Sequence, residues 1–246
     1  MTYRTPVLLL SDGYLANGSE PWQIPDIDDL PTIDPAFANA ANHEGLDKAG
    51  NATEDFWPYL RDQETLARPW AVPGTAGLEH RIGGLEKGDG HGNISYDPAN
   101  HDFMVRTRQA KVDRIADSLP PLEVDDPSGR AKVLVLGWGS TYGPIGAACR
   151  RVRKAGMDVA QVHLRHLNPF PKDLGEILKR YDAVMIPEMN LGQLSMLIRA
   201  KYLVDVVGYN HVRGLPLRAA ELADAITDLV SAQADTLDPT SEEAVR

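Results

Sequence analysis

The chain has 246 residues, 43% of them hydrophobic, enough for one or two globular domains. Lys plus Arg total 25 against 35 Asp plus Glu, and the formal net charge of −10 disfavours a general nucleic-acid surface while leaving room for a local basic pocket. The single cysteine, Cys149, rules out an internal disulfide and a four-cysteine iron–sulfur or zinc site within the chain, and it fits a reducing, cytoplasmic compartment. No stretch approaches the ~20 apolar residues that span a bilayer, so no membrane association is expected.

The first element in chain order is an apolar run, Val7-Leu8-Leu9-Leu10, closed by the turn signal Ser11-Asp12-Gly13. It is too short for a signal-peptide core and reads as a buried strand over residues 5–10. A buried strand usually has neighbours on both sides, so either later strands supply them or, the favoured expectation, the chain starts in the middle of a domain.

Residues 16–129 are polar and rich in Pro, Gly and Asp, as in Pro25-Asp26-Ile27-Asp28-Asp29-Leu30-Pro31. A structureless loop of that length is abnormal in a compact domain, so the segment is expected to be an ordered connector across a partner, a linker, or both. Within it, residues 101–115 read as a helix capped by Asn100, with Phe103, Met104, Val105 and Val112 apolar. The segment Glu79 to His91 gathers Glu79, His80, Arg81, Glu86, Asp89 and His91, a set that could in principle ligate a metal. Its spacing matches no metal helix motif, and its four glycines make a flexible solvated or interface loop the plainer reading, so no metal ligand is assigned.

From residue 130 the pattern changes. Val133-Leu134-Val135-Leu136 is a short apolar strand. The helix that follows over 144–156 carries Ile145, Ala148, Cys149 and Val152 at i, i+3, i+4 and i+7, with Pro144 in its first turn and Gly156 at its stop. A strand over 159–164, a helix over 172–180, a strand over 183–186, a helix over 192–203, a strand over 204–207 and a helix over 217–230 complete the series. The β-α alternation predicts an α/β fold with a parallel sheet covered on both faces. Residues 232–246 read as a polar, flexible tail.

Three turns in this half could carry function. Gly139-Ser140-Thr141-Tyr142-Gly143, between a strand and a helix, can crowd backbone N–H groups at a helix N-terminus. It fails the dinucleotide fingerprint and the nucleophile elbow, because Tyr142 stands where glycine is required, and the P-loop for want of Gly-Lys. A structural turn, or an anion or partner contact, remains open. Leu167-Asn168-Pro169-Phe170-Pro171 reads as a rigid turn whose Phe170 plugs the core. Glu188-Met189-Asn190-Leu191-Gly192-Gln193 would lie at the C-terminal edge of the sheet, where ligands and partners meet such folds, with helix capping by Asn190 as the structural alternative.

Taken in order, these motifs resemble the transketolase C-terminal-like domain of the alpha subunit of 2-oxoacid:ferredoxin (acceptor) oxidoreductases, most like the 2-oxoglutarate enzymes. Pro6 to Leu15 looks like the last strand of that family's pyrimidine-binding domain, and Gly77-Leu78-Glu79-His80 with Gly90-His91-Gly92 is similar to its connector. The resemblance implies four regions: residues 1–15 as the end of a pyrimidine-binding domain, 16–129 as connector, 130–231 as the transketolase C-terminal-like domain, and 232–246 as tail. It implies an enzyme that decarboxylates a 2-oxoacid on thiamine pyrophosphate with Mg²⁺, reduces ferredoxin through an Fe–S cluster and releases an acyl-CoA from coenzyme A. Those groups would be held mainly outside this chain, and a beta subunit and ferredoxin would be its partners in a hetero-oligomer. No catalytic residue is carried over. The interface or ligand-edge candidates are Gly139, Ser140, Thr141, Tyr142, Gly143, Asn190, Gly192 and Gln193, with Glu79 and His80 from the connector. Two alternatives are the C-terminal domain of a thiamine-dependent dehydrogenase beta subunit and a non-catalytic interaction module.

Overall fold

A computed structural model describes residues 1–19, 21 and 23–237 and divides the chain into two compact units. One unit comprises Met1–Leu8 and Glu20–Ser118, the other Leu9–Ser19 and Leu119–Arg246.

The second unit contains a four-stranded parallel sheet, β3 (Val133–Trp138), β4 (Ala160–Leu164), β5 (Ala183–Glu188) and β6 (Val206–Asn210), in spatial order β4-β3-β5-β6. It is flanked by α3 (Tyr142–Lys154), α4 (Leu174–Leu178), α5 (Gln193–Tyr202) and α6 (Ala219–Leu237), and a short helix, α1 (Gly13–Asn17), belongs to the same unit. Because successive strand side chains point to opposite faces, β3 serves two cores at once. Val133 and Val135 pack with Ile145, Cys149, Val152, Leu222 and Ile226 on the α3 and α6 side. Leu134 and Leu136 pack with Leu174, Leu178, Leu194 and Ile198 on the α4 and α5 side. All four are fully buried, which is why this strand reads as a continuous apolar run rather than an alternating one. Phe170 lies in the α4 and α5 core, as the double-proline turn predicts.

The first unit is built with little regular structure. A two-stranded antiparallel hairpin, β1 (His43–Leu46) and β2 (Ala52–Asp55), and a long helix, α2 (Pro98–Arg114), are its main elements. The Gly-rich segment is packed in its second half, where Gly88, Gly90 and Gly92 are buried, while residues 81–85 are exposed. Gly90 has φ +68°, and a Cβ there would sit 2.7 Å from the Trp57 ring, so only glycine lets the loop lie against that indole. Trp57 stacks on His43 at 3.4 Å between centroids and meets His91 edge-on at 6.0 Å. Lys87 is buried, and its ammonium donates to the carbonyls of Gly83, Gly84 and Leu85, which closes the loop on itself.

Three expectations are corrected. Residues 5–10 form no strand, and Val7, Leu8 and Leu9 are 85–90% exposed, because nothing among the described residues offers that run a ladder or a core. The long helix begins at Pro98, with Asp97 as its cap through an acceptor bond from the Ala99 N–H. Asn100 instead tethers the Gly-rich loop, accepting from the Asp89 N–H and donating to the Lys87 carbonyl. The helix expected over 172–180 shrinks to the five residues of α4, whose Leu174, Ile177 and Leu178 supply only one inward turn.

Cys149 lies on the inner face of α3, and burial pushes its thiol up to about 11. At pH 8 only about one thiol in a thousand would then be ionised. In the folded chain Cys149 should resist a thiol reagent such as a disulfide-exchange chromophore and react fully in denaturant. Stoichiometric labelling of the native chain within minutes would contradict this burial.

Candidate functional site

The order β4-β3-β5-β6 fixes where a site can form. From β3 the chain passes to β4 on one side, then returns to β5 on the other, so the β3–β5 boundary is a topological switch point. In open parallel sheets the C-terminal ends of the strands at such a point are where ligands bind. The ladder agrees. β3 and β5 pair at Val133↔Ala183, Leu134↔Val184 and Val135↔Met185, whereas each strand stays paired with its outer neighbour to its end, at Trp138↔Leu164 and Glu188↔Asn210.

The two turns at this point are Gly139 to Gly143 and Met189 to Gln193. In the first, the Thr141 hydroxyl donates to the Trp138 carbonyl at 2.7 Å and accepts from the Trp138 N–H at 3.1 Å, so Thr141 is turned inward and buried. A Cβ on Gly137 would lie 2.5 Å from the Ile145 methyl and 3.1 Å from the Thr141 hydroxyl, so glycine there is what lets α3 start so close to β3. Gly139 takes φ +57° and opens the turn. The Ser140 hydroxyl donates to Asp12 at 2.9 Å, and Asp12 in turn accepts from the Tyr14 N–H. That backbone bond, with the Ser140 bond second, holds the Asp12 carboxyl below its usual range. Ser140 therefore has a carboxylate acceptor and no histidine base, the wrong arrangement for a nucleophile. Tyr142 and Gly143 are left exposed, and the Tyr142 ring meets His163 edge-on at 5.0 Å. Burial, and then the nearby Arg165, lower the His163 pKa, which favours a neutral imidazole beside that ring. Tyr142 and His163 help line a groove of about 410 Å³ that also takes in Leu122, Gln161, Arg165 and His166.

The second turn is organised by two acceptors. Asn190 accepts from the N–H groups of Gly192 and Gln193 at 2.7 and 3.2 Å, a turn bond made two residues before the cap of α5, which is Gly192 and not Asn190 as the sequence alternative had it. Glu188 was not among the sequence candidates. Its carboxylate is fully buried and accepts from Leu194 N–H at 2.9 Å, Ser195 N–H at 3.1 Å and the Ser195 hydroxyl at 3.0 Å. A helix leaves its first N–H groups without partners, and this carboxylate satisfies two of them while its charge suits the positive end of α5. The sequence signal was present in a Glu at the end of an apolar strand, six and seven residues before its partners. Gly192 is buried, while Leu191 and Gln193 face outward.

Glu79 and His80 lie in the first unit. Glu79 is exposed, and the His80 ring nitrogen bonds to the Leu78 carbonyl at 2.8 Å while its face meets Phe56 at 5.0 Å. Leu78 is the buried anchor of that segment. Among the described residues no group of three or more His, Cys, Asp or Glu side chains could hold a metal ion, and no helix is long and apolar enough to cross a membrane.

Comparison with known proteins places this geometry. Residues 131–222 match the pyruvate:ferredoxin oxidoreductase core domain II. The chain is 58% identical over 222 residues to the 2-oxoglutarate oxidoreductase subunit KorA of Mycobacterium tuberculosis, an alignment covering 90% of this chain and 32% of that protein. It is 31% identical over 245 residues to the alpha subunit of 2-oxoacid:ferredoxin oxidoreductase 1 of Aeropyrum pernix, covering 93% of this chain and 35% of that one. Among solved structures, a 2-oxoglutarate:ferredoxin oxidoreductase from Magnetococcus marinus, with 2-oxoglutarate, coenzyme A and succinyl-CoA bound, superposes with a TM-score of 0.70 at 29% identity, over 84% of this chain and 34% of that chain. The chain thus spans about a third of the length of these relatives.

Replacing Glu188 by Ala should cost about 2–3 kcal/mol, because two helix N–H groups and a hydroxyl lose a charged acceptor in a water-free site. Glu188→Gln should cost less, since its carbonyl oxygen can keep part of the set. Urea unfolding followed by circular dichroism measures both, and an unchanged midpoint for Glu188→Ala would refute the role.

Proposed function

As a homologue, over nine-tenths of its length, of part of a 2-oxoglutarate oxidoreductase KorA subunit, and as the bearer of a pyruvate:ferredoxin oxidoreductase core domain II, this chain is, we propose, part of the alpha subunit of a 2-oxoglutarate:ferredoxin oxidoreductase. The observation that carries the reading is the 58% identity over 222 residues, which runs through both units rather than the sheet domain alone. The reaction would convert 2-oxoglutarate and coenzyme A to succinyl-CoA and CO₂, with the electrons passing to ferredoxin in the cytoplasm.

Thiamine pyrophosphate, Mg²⁺ and an Fe–S cluster would supply the decarboxylation and electron-transfer chemistry of the complete enzyme. The donors here do not fit a cluster. The only thiol, Cys149, is buried with its pKa raised to about 11, and a cluster needs several exposed thiolates. Nor do the described residues offer a carboxylate–imidazole set for a metal. A cluster or metal ion would therefore be held by other parts of the complex, a beta subunit included.

What this chain can supply is a framing edge. At the switch point, Tyr142, Leu191 and Gln193 face outward on turns whose interiors are fixed by Thr141, Asn190 and Glu188. Rigid turns presenting a few exposed side chains suit an interface that excludes water from a neighbouring active centre. Gly139 to Gly143 and Asn190 to Gln193 would make that contact. Glu79 and His80 would belong to the connector surface, and residues 5–10 would gain their ladder from a sheet elsewhere in the complex, which accounts for their exposed leucines here.

Coexpression with the rest of the alpha subunit and the beta subunit, followed by a coenzyme A- and 2-oxoglutarate-dependent viologen-reduction assay, tests the activity. Tyr142→Arg and Gln193→Trp should impair copurification and turnover at least about tenfold by opposing a close-packed contact. Full assembly and turnover in both variants would refute the interface, and no 2-oxoglutarate-dependent reduction by the wild-type complex would refute the activity.

A further inference from the structure

We infer that the first unit holds an anion-binding groove centred on Arg61, which takes a phosphate or carboxylate group of a ligand. Four cations meet there. Arg61 and Arg68 share one aromatic ring, their guanidinium carbons 5.8 and 5.1 Å from the centre of Tyr59. Arg4 donates to the carbonyl of Arg68 at 2.7 Å and lies over Trp70 at 5.0 Å, and the Lys111 ammonium donates to the carbonyl of Arg4 at 3.2 Å. Like charges drawn this close repel, and in a chain of net charge −10 carboxylates are plentiful enough to answer them. None does. Among the described residues Arg4, Arg61, Arg68 and Lys111 make no ion pair, and their hydrogen-bond acceptors are backbone carbonyls such as those of Leu66, Pro58, Pro35 and Ala36.

Two of the four cations open onto space. Arg4 and Arg61 line a groove of about 1040 Å³ with Asn42 and Thr65. The groove also holds three carboxylates, Asp34, Asp62 and Glu64, and hydrogen bonds from neutral donors orient two of them without cancelling their charge, so the anion would sit on the Arg4 and Arg61 side. Asp62 accepts from the Thr65 N–H and hydroxyl and the Glu64 N–H, and Asp34 accepts from the Ala36 N–H. Glu64 is exposed, and Asp89, whose charge Arg61 feels, makes no ion pair with it.

The sharpest single observation is at Arg61 itself. Its Nε is buried and has no hydrogen-bond partner, although its terminal nitrogen donates to Leu66. A buried guanidinium N–H without an acceptor is costly, and an incoming oxyanion would supply the missing one along with a countercharge. Burial lowers the pKa values of Arg61 and Lys111, and for Lys111 the neighbouring Arg61 and Arg68 add to it. For Arg61 the nearby Asp89 partly offsets the burial, and a bound anion would offset it further. The site draws on no residue of the sheet-edge turns.

The test is isothermal titration calorimetry of the 246-residue chain with pyrophosphate and, separately, with succinate, at constant ionic strength set with chloride. Saturable one-site binding of pyrophosphate alone identifies a phosphate-bearing ligand, of succinate alone a carboxylate-bearing one, and of both a general oxyanion site. Arg61→Gln should weaken the binding at least about tenfold, the loss of one charge-assisted hydrogen bond, and Lys111→Met, which removes a neighbouring positive charge, should weaken it at least about threefold. Arg106→Gln, an exposed cation already paired with Asp102 on α2, should leave it unchanged. If Arg61→Gln loses its circular dichroism signal, Lys111→Met decides. Binding of neither anion, or equal weakening by Arg106→Gln, would overturn the inference.

Discussion

The second unit depends on one constraint, the two-sided burial of β3. A strand whose four central side chains are all inside must have helices on both faces and strands on both edges, so β4 and β5 have to flank it. Once they do, the chain must reverse its direction of growth across the sheet between β4 and β5, and a switch point appears beside β3. The two candidate turns, some fifty residues apart in sequence, become neighbours for that reason alone.

How each turn keeps its shape follows from hydrogen-bond accounting. Backbone groups at a helix start cannot be left dry and unpaired. Around α5 the supply comes from Glu188 and Asn190, side chains on the strand side of the turn. At α3 the Thr141 hydroxyl both gives to and takes from Trp138, and Gly137 removes the bulk that would hold helix and strand apart. The side chains left pointing outward, Tyr142, Leu191 and Gln193, are those without such duties. Residues that seem interchangeable within a motif thus divide into structural and presenting members.

The first unit solves a different problem. It has little sheet or helix to satisfy its backbone, so it uses side chains as clamps. Lys87 gathers three carbonyls, Asn100 ties the loop to α2, and Arg4 spans Pro35, Ala36 and Arg68. Charged and amide groups acting as staples explain why a segment so polar and so rich in glycine and proline can still be ordered. Arg4 and Lys87 accordingly face carbonyls, whereas Arg106 and Arg108 on α2 pair with Asp102 and Glu86.

The sequence by itself determined the β-α alternation, the parallel sheet and the inward face of α3, because apolar periodicity and helix stop signals are local quantities. Phe170 as a core plug was legible for the same reason. It also carried, in the order of its motifs, the resemblance that the relatives bear out. Only the tertiary structure decided that Val7 to Leu10 would be exposed, since an apolar run records a need for burial and not the partner that meets it. Only it separated Thr141 from Tyr142, and revealed Glu188 as the buried acceptor at the head of α5 and Asp97, not Asn100, as the cap of α2. The cation cluster around Arg61 was equally hidden. Its members stand at positions 4, 61, 68 and 111, and no local pattern announces charges that meet only when the chain has folded.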